Sequence, residues 1–389
     1  MNKMLRRRIL AIFSAVLLTA GLSACSSSTP AAPAASSAAP SAAASSAESV
    51  AATDKAPGEM THDELVAAAK KEGNTFETVG MPDDWANWGA SWATLKQKYG
   101  IEHADTDMTS AEELSTFEAE KDDATRDLGD IGMSFAPTAI KMGVVQGYKP
   151  STWDTIPQWA KDPDGRWIIS YTGTMTFSAL SDTVGGKLPT SWKELKDSKY
   201  KVSVGNVPSG AASQVAVISA AYAMGGSIDN VQPGIDMFVE LAKAGRLDPG
   251  DTTYARCANG EMEVCASQYE YSSLNWRDNL KKDSGLDLLV TIPQDGALTT
   301  GYALVFNKYS KHPYTTALAM DYLLSDEGQI DRAHGYAHPV RDVTLPSDIK
   351  GLDSSLYAKA VTVNDITKLN EACEKVAKLW TEQVVPCLK

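Results

Sequence analysis

From residue 61 to the end of the chain, short strand-like runs alternate with amphipathic helical runs, and this rhythm constrains the fold more than any other feature. Thr61-His62-Asp63-Glu64 is a capping box, in which a hydroxyl and a carboxylate satisfy amides at a helix start; Gly73 stops the helix. Residues 74–80 read as a strand, and residues 84–99 carry Trp85, Trp88, Trp92 and Leu95 at helical spacing. A strand at 101–106 leads to a second capping box, Ser110-Ala111-Glu112-Glu113, and a helix through Lys121. A third strand at 128–133 runs into Ser134 and Thr138, where another helix begins. The alternation predicts an α/β layered fold with a largely parallel sheet. In such sheets ligands sit beyond the carboxyl ends of the strands, which points to residues 81–88 and 134–138.

The second half repeats the rhythm. A threonine-rich strand at 167–180 and a helix opened by Ser191 precede the stretch 201–226, KVSVGNVPSGAASQVAVISAAYAMGG. This reads as a strand at 201–205, a tight turn through Pro208 and Gly210, and an alanine-rich helix over 209–224. The small residues Ser209, Gly210, Ala211, Ala212 and Ser213 leave first-turn amides uncovered, a preformed seat for a phosphate, carboxylate or sugar oxygen. The plainer alternative is a connection in which Ser209 only caps the helix. A helix at 231–244, a strand at 262–269, a helix at 272–281 and a strand at 286–292 complete a second α/β unit. The strand at 298–307 bears Thr300 and Tyr302, and helices follow at 313–328 and 364–383. With 389 residues, two domains are expected.

The net charge of −13 opposes nucleic acid and anionic lipid headgroups as partners, without fixing the charge of a small ligand in a local pocket. At the N-terminus, Lys3 and Arg6 to Arg8 precede an apolar run at 9–18, and Leu22-Ser23-Ala24-Cys25 closes it with small residues before a cysteine. This resembles the bacterial lipoprotein signal. The resemblance implies removal of residues 1–24, lipidation of Cys25 and a mature net charge of −17, against the alternative of an ordinary signal peptide or a single membrane span. Residues 25–58, rich in Ser, Ala and Pro, cannot bury a core and read as a tether. Export would permit disulfides, and the Ala258-Asn259-Gly260 turn makes Cys257 with Cys265 the expected pair; Cys373 with Cys387 would require a break in their helix.

Motifs of catalysis are missing: there is no G-x-S-x-G, H-E-x-x-H or P-loop, and the five histidines are scattered. No metal or cofactor is expected. Tyr269 and Tyr271, read as one strand face with Glu270 opposite and Ser272 following, suit a ligand wall better than a metal clamp. Trp85, at a strand-to-helix mouth beside Asp83 and Asp84, is a candidate for a cation, whereas Trp88 and Trp92 read as core. Two helix starts, at Ser209 and at Ser134 with Thr138, together with Arg341, favour an anion.

Pro189-Thr190-Ser191-Trp192-Lys193-Glu194-Leu195, the 201–226 stretch and Asn259-Gly260-Glu261 occur in order. They are followed by His312-Pro313, residues 321–329 and Gly335-Tyr336-Ala337-His338-Pro339-Val340-Arg341. With this order and spacing, residues 61–389 resemble the extracellular solute-binding proteins of ABC importers, the group that binds ferric iron, thiamine, polyamines, phosphonates and sugar phosphates. The resemblance implies a bilobal, type II periplasmic-binding-protein-like α/β fold. It places lobe one at 60–175 plus 300–389 and lobe two at 176–299, with crossing strands between them. It also implies a monomeric, lipid-anchored receptor on the outer face of the membrane that hands a small solute to a permease and its ATPase. Ferric binders of this group carry adjacent tyrosines, and Glu270 separates Tyr269 from Tyr271. A phosphorylated, phosphonate or carboxylate solute is the expectation, with a cationic solute, a surface hydrolase or phosphatase, and a cell-wall spacer as alternatives.

Overall fold

The computed structural model describes residues 55–349 and 351–389. The expected signal, Cys25 and all but the last residues of the expected tether lie outside the described residues. Thr61 and Glu64 form the expected capping box, and α1 (His62–Glu72) ends at Gly73 with φ 112°, a left-handed value that glycine takes without strain. Strands β1 (Thr75–Val79), β2 (Glu102–Thr106) and β3 (Leu128–Gly132) are parallel, with β1 in the middle. The helices α2 (Trp88–Tyr99), α3 (Ser110–Glu120) and α4 (Ala136–Met142) connect or follow them. After the short β4 (Val145–Gln146) the chain enters β5 (Ile168–Leu180), the longest strand.

Two lobes are built around β5. Its first half, to Thr174, lies antiparallel beside β10 (Leu298–Asn307), which in turn pairs β3. From Met175 onward it pairs instead with β8 (Val264–Tyr269) and β9 (Leu288–Thr291). The second lobe adds the parallel β6 (Val202–Ser203) and β7 (Leu247–Asp248). Its helices are α5 (Trp192–Asp197), α6 (Ala211–Ala223), α7 (Gln232–Lys243), α8 (Tyr254–Ala258) and α9 (Glu270–Ser284). The chain then returns through α10 (Pro313–Leu323), α11 (Asp326–His334), β11 (His338–Pro339), β12 (Val361–Thr362) and α12 (Ile366–Leu379).

The helix α6 is buried almost all round, as its lack of a polar face requires. It packs on α7, α12 and β8. Gly234 makes the α6–α7 approach possible, since a Cβ there would stand 2.4 Å from the Val217 carbonyl oxygen. The C-terminal segment touches both lobes. Asn370 of α12 donates to the Ser134 carbonyl (2.8 Å) and to Thr138 Oγ1 (3.1 Å). Beyond a π turn at Trp380–Val384, the Trp380 ring lies 5.2 Å from that of Phe238, and Gln383 accepts from Gln232. Among the described residues no helix is long and apolar enough to cross a membrane.

Several local expectations are corrected. The second capping box lies one residue earlier, with Thr109 as cap and Glu112 as its partner. The alanine-rich helix starts at Ala211 with Gly210 as cap, so Ser209 stays outside it. The strand at 262–269 ends at Tyr269, and Glu270, Tyr271 and Ser272 are the first turn of α9, so no strand face is shared. The helix expected at 313–328 is two, because the Ser325 hydroxyl accepts from the Gly328 amide and starts α11. The bridge expected between Cys257 and Cys265 is not formed: both are buried free thiols, one on α8 and one on β8. Burial raises them to about 12 and about 11 respectively.

Candidate functional site

The carboxyl ends of β1 and β2, the start of α3, β3, β10 and the start of α6 enclose a cavity of about 150 Å³ between the half-sheets. A single water needs on the order of 10–15 Å³ on this measure, so the space admits a small solute. Its floor is aromatic: Trp85 and Tyr302 line it, with ring centroids 5.6 Å apart. Behind them stands a layer of tyrosines. Tyr271 lies 5.2 Å from Trp85, Tyr269 lies 6.0 Å from Tyr302, and Tyr171 stacks parallel to Tyr302 at 5.9 Å. Tyr269 and Thr300 join hydroxyls at 2.5 Å, which locks that layer to β10.

The lobe-one wall is acidic. Asp130, from the wholly buried β3, is 1% exposed, and its Oδ2 accepts from the Tyr171 hydroxyl at 2.5 Å, which itself accepts from Trp85 Nε1 at 2.7 Å. Asp130 Oδ1 makes no hydrogen bond of good geometry, but Trp88 Nε1, also without a full partner, lies beside this carboxyl and helps to pull its pKa down. Glu113, also 1% exposed, accepts from the Asp130 amide through Oε2 at 3.0 Å. Its other oxygen crowds Gly80, where a Cβ would stand 2.6 Å away. Asp107 lines the same space, and Glu112 and Asp251 line the adjoining mouth. No Lys, Arg or His lines either the cavity or this mouth.

Burial raises these acids. Asp130 is pushed up to about 7 by burial, although the Tyr171 hydrogen bond and the Arg332 charge pull it down. Glu113 is driven well above the usual carboxylate range by burial and then by Asp130. Burial, with Asp84 and Glu112, raises Asp107. Arg332 lies 3.7 Å over the Trp88 ring and donates through Nη2 to Asn87 O and Ser91 Oγ, while its buried Nε and Nη1 have no partner.

The lobe-two wall is the start of α6. Gly210, Ala211, Ala212 and Ser213 line the cavity. Ala211 packs on Gly132 so tightly that a Cβ at Gly132 would stand 2.2 Å from the alanine methyl.

Of the expected site residues, the structure brings Trp85, Gly210, Ala211, Ser213 and Tyr302 to this cavity. Tyr269, Tyr271 and Thr300 support it from behind, while Ser272, buried on α9, is not among its lining residues. Ser209 is not among the lining residues either. Ser134 and Thr138 face α12. Arg341 is elsewhere, donating to Thr155 Oγ1 (2.6 Å), the Leu324 carbonyl (2.9 Å) and Asp326 (2.8 Å). The acids weighed for a cation are placed differently too: Asp83 and Asp84 are exposed, and Glu270 is buried against His338 at 2.7 Å. The carboxylates of the cavity, Asp107, Glu113 and Asp130, were not singled out. Reading Thr109-Ser110-Ala111-Glu112 as the capping box would have released Glu113 for such a role. Among the described residues no group of three or more His, Cys, Asp or Glu is placed to hold a metal ion.

Residues 127–367 match the family model described as bacterial extracellular solute-binding protein. Among solved structures, the chain is similar to the periplasmic binding protein AfuA from Actinobacillus pleuropneumoniae with fructose-6-phosphate bound. The TM-score is 0.64 at 16% identity, covering 79% of this chain and 98% of that one. It is also similar to iron-bound HitA from Pseudomonas aeruginosa (0.59, 19% identity, 78% and 99% covered). The substrate binding protein of an ABC transporter from Agrobacterium tumefaciens matches likewise (0.64, 12% identity, 80% and 94% covered). No curated protein sequence matches the chain.

Proposed function

Since the chain belongs to the bacterial extracellular solute-binding proteins, we propose that it captures a small solute carrying an ammonium or other cationic group in the cavity between its lobes. The observation that carries this reading is a cavity with three carboxylates and two aromatic faces and no basic side chain. A cation seated there would restore to Asp130 and Glu113 the charge that burial suppresses, and the Trp85 and Tyr302 rings would add cation–π attraction worth roughly 0.5–2 kcal/mol. The anionic preference drawn from the sequence rested partly on Arg341 and Ser134, which are engaged away from the cavity.

In this reading lobe one comprises residues 60–175 and 300–389, lobe two residues 176–299, and the switch of β5 between partners at Thr174 and Met175 supports that division. Closure of the lobes over the solute would present the loaded form to a permease and its ATPase, with the chain acting as a monomer anchored through Cys25 and without catalysis of its own. The Agrobacterium neighbour, named as part of an ABC transporter, supports the importer role.

Calorimetric titration of the full chain with 1,4-diaminobutane, thiamine and a hexose phosphate tests the charge assignment. A cationic probe should bind, and Glu113→Gln should weaken it by one to two decades, the loss of about 1.5–3 kcal/mol expected for a charge-assisted contact. Binding of the phosphate alone, unaffected by the substitution, would refute the reading.

A further inference from the structure

Resting on the cationic reading above, we infer that the solute is dipolar: an ammonium group meets Asp130 and Glu113, and a carboxylate at its other end meets the start of α6. The class is a short amino acid with an unblocked amine and an unblocked acid.

The two walls of the cavity are of opposite electrical character. On the lobe-one side, Glu113 lines the cavity although it is 1% exposed, and of its carboxylate only Oε2 has a donor. Acceptors left over in this way call for a donor from the ligand. On the lobe-two side, α6 runs for thirteen residues, its cap is a glycine, and no side chain caps it. The first amide of the helix committed to the ladder is that of Gln214, which donates to Gly210. Those of Ala211, Ala212 and Ser213 donate to no protein atom among the described residues, and all three residues line the cavity. Free amides at a helix start, carrying the positive end of its dipole, call for an anionic oxygen. A solute with only positive groups would leave those amides unmet, and one with only negative groups would meet three carboxylates.

The cavity of about 150 Å³ sets the length of the solute and admits a linker of only a few carbons between amine and acid.

The test uses matched probes on the full chain by calorimetry: β-alanine and 4-aminobutyrate, the diamines 1,3-diaminopropane and 1,4-diaminobutane, and the acids propanoate and butanoate. At least one amino acid should bind about tenfold or more tighter than its diamine and its monocarboxylate, as one charge-assisted hydrogen bond at the second pole predicts. Ala212→Asp places a carboxylate over the free amides while complementing the helix dipole, so the fold is favoured. It should lower amino acid affinity by one to two decades and leave diamine binding equal or stronger, which also reports a folded protein. A diamine that binds tightest, with Ala212→Asp leaving the amino acids unaffected, overturns the dipolar inference and keeps the cationic reading. A monocarboxylate that binds tightest overturns both. Failure of both amino acids to bind at millimolar concentration overturns the inference outright.

Discussion

Replacing Asp130 by asparagine should stabilise the ligand-free protein at pH 8 and destabilise it at pH 4. The folded protein holds this carboxyl near 7, whereas an unfolded chain releases its proton near 4. Below pH 4 both states keep the proton and the group is neutral to stability. Between 4 and 7 only the folded state keeps it, so the native protein loses about 1.4 kcal/mol for each pH unit gained, or about 4 kcal/mol in all by pH 7. Asparagine does not titrate. It can still accept from the Tyr171 hydroxyl, but its amide replaces an oxygen that has no partner, and an unsatisfied buried donor costs about 1–3 kcal/mol. The substitution should therefore lower stability by about 1–3 kcal/mol at pH 4, and raise it by a similar amount at pH 8. Urea unfolding of both proteins without ligand measures the difference at each pH. A stability difference that is the same at pH 4 and pH 8 would refute the argument, because it would make Asp130 an ordinary, already ionised structural anion.

Cation affinity should fall by up to about tenfold per pH unit below 7, since the ligand must expel the Asp130 proton; a flat calorimetric profile from pH 5 to 8 contradicts this. Arg341→Ala should leave binding within about twofold of the parent while lowering the unfolding midpoint, because the guanidinium ties Thr155, Leu324 and Asp326 together away from the cavity. Non-reducing peptide mapping should find Cys257 and Cys265 as free thiols, since both are buried and unjoined in the structure; a peptide pair linked through them would contradict this. Cys25→Ser should release the protein from membranes and abolish lipid labelling, with membrane retention in the absence of labelling as the contrary result.

Much of the fold was legible because strand and helix starts are set locally. Thr61, Ser191 and Gly73 announce their caps in four or fewer residues, and the structure uses them that way. Trp85 was legible as a residue of the connection between β1 and α2, whereas α6 has no side-chain cap and starts two residues beyond the expected Ser209. What failed depended on distance in space. Arg341 looks like a ligand clamp until α11 brings Asp326 beside it, and Ser134 looks free until α12 covers it. Asp130 is one acid within a strand, and its burial against Tyr171, 41 positions later, has no local signal. Glu113 is the instructive case, since a capping box one residue out of register hid a cavity carboxylate as a helix cap.

The single strand shared by both half-sheets sets a limit on how such a chain can diverge or be engineered. Side chains alternate along β5, and its first half answers to β10 while its second answers to β8 and β9. Loops elsewhere can gain or lose a residue at small cost. A single deletion within residues 171–174, beyond the bulge at Ser170, would instead turn Met175 through Leu180 to the opposite faces, placing Phe177 and Ala179 where Thr176 and Ser178 now point. Insertions and deletions are therefore confined to the connections, and the length of β5 is the dimension on which every variant of the two-lobed design must agree.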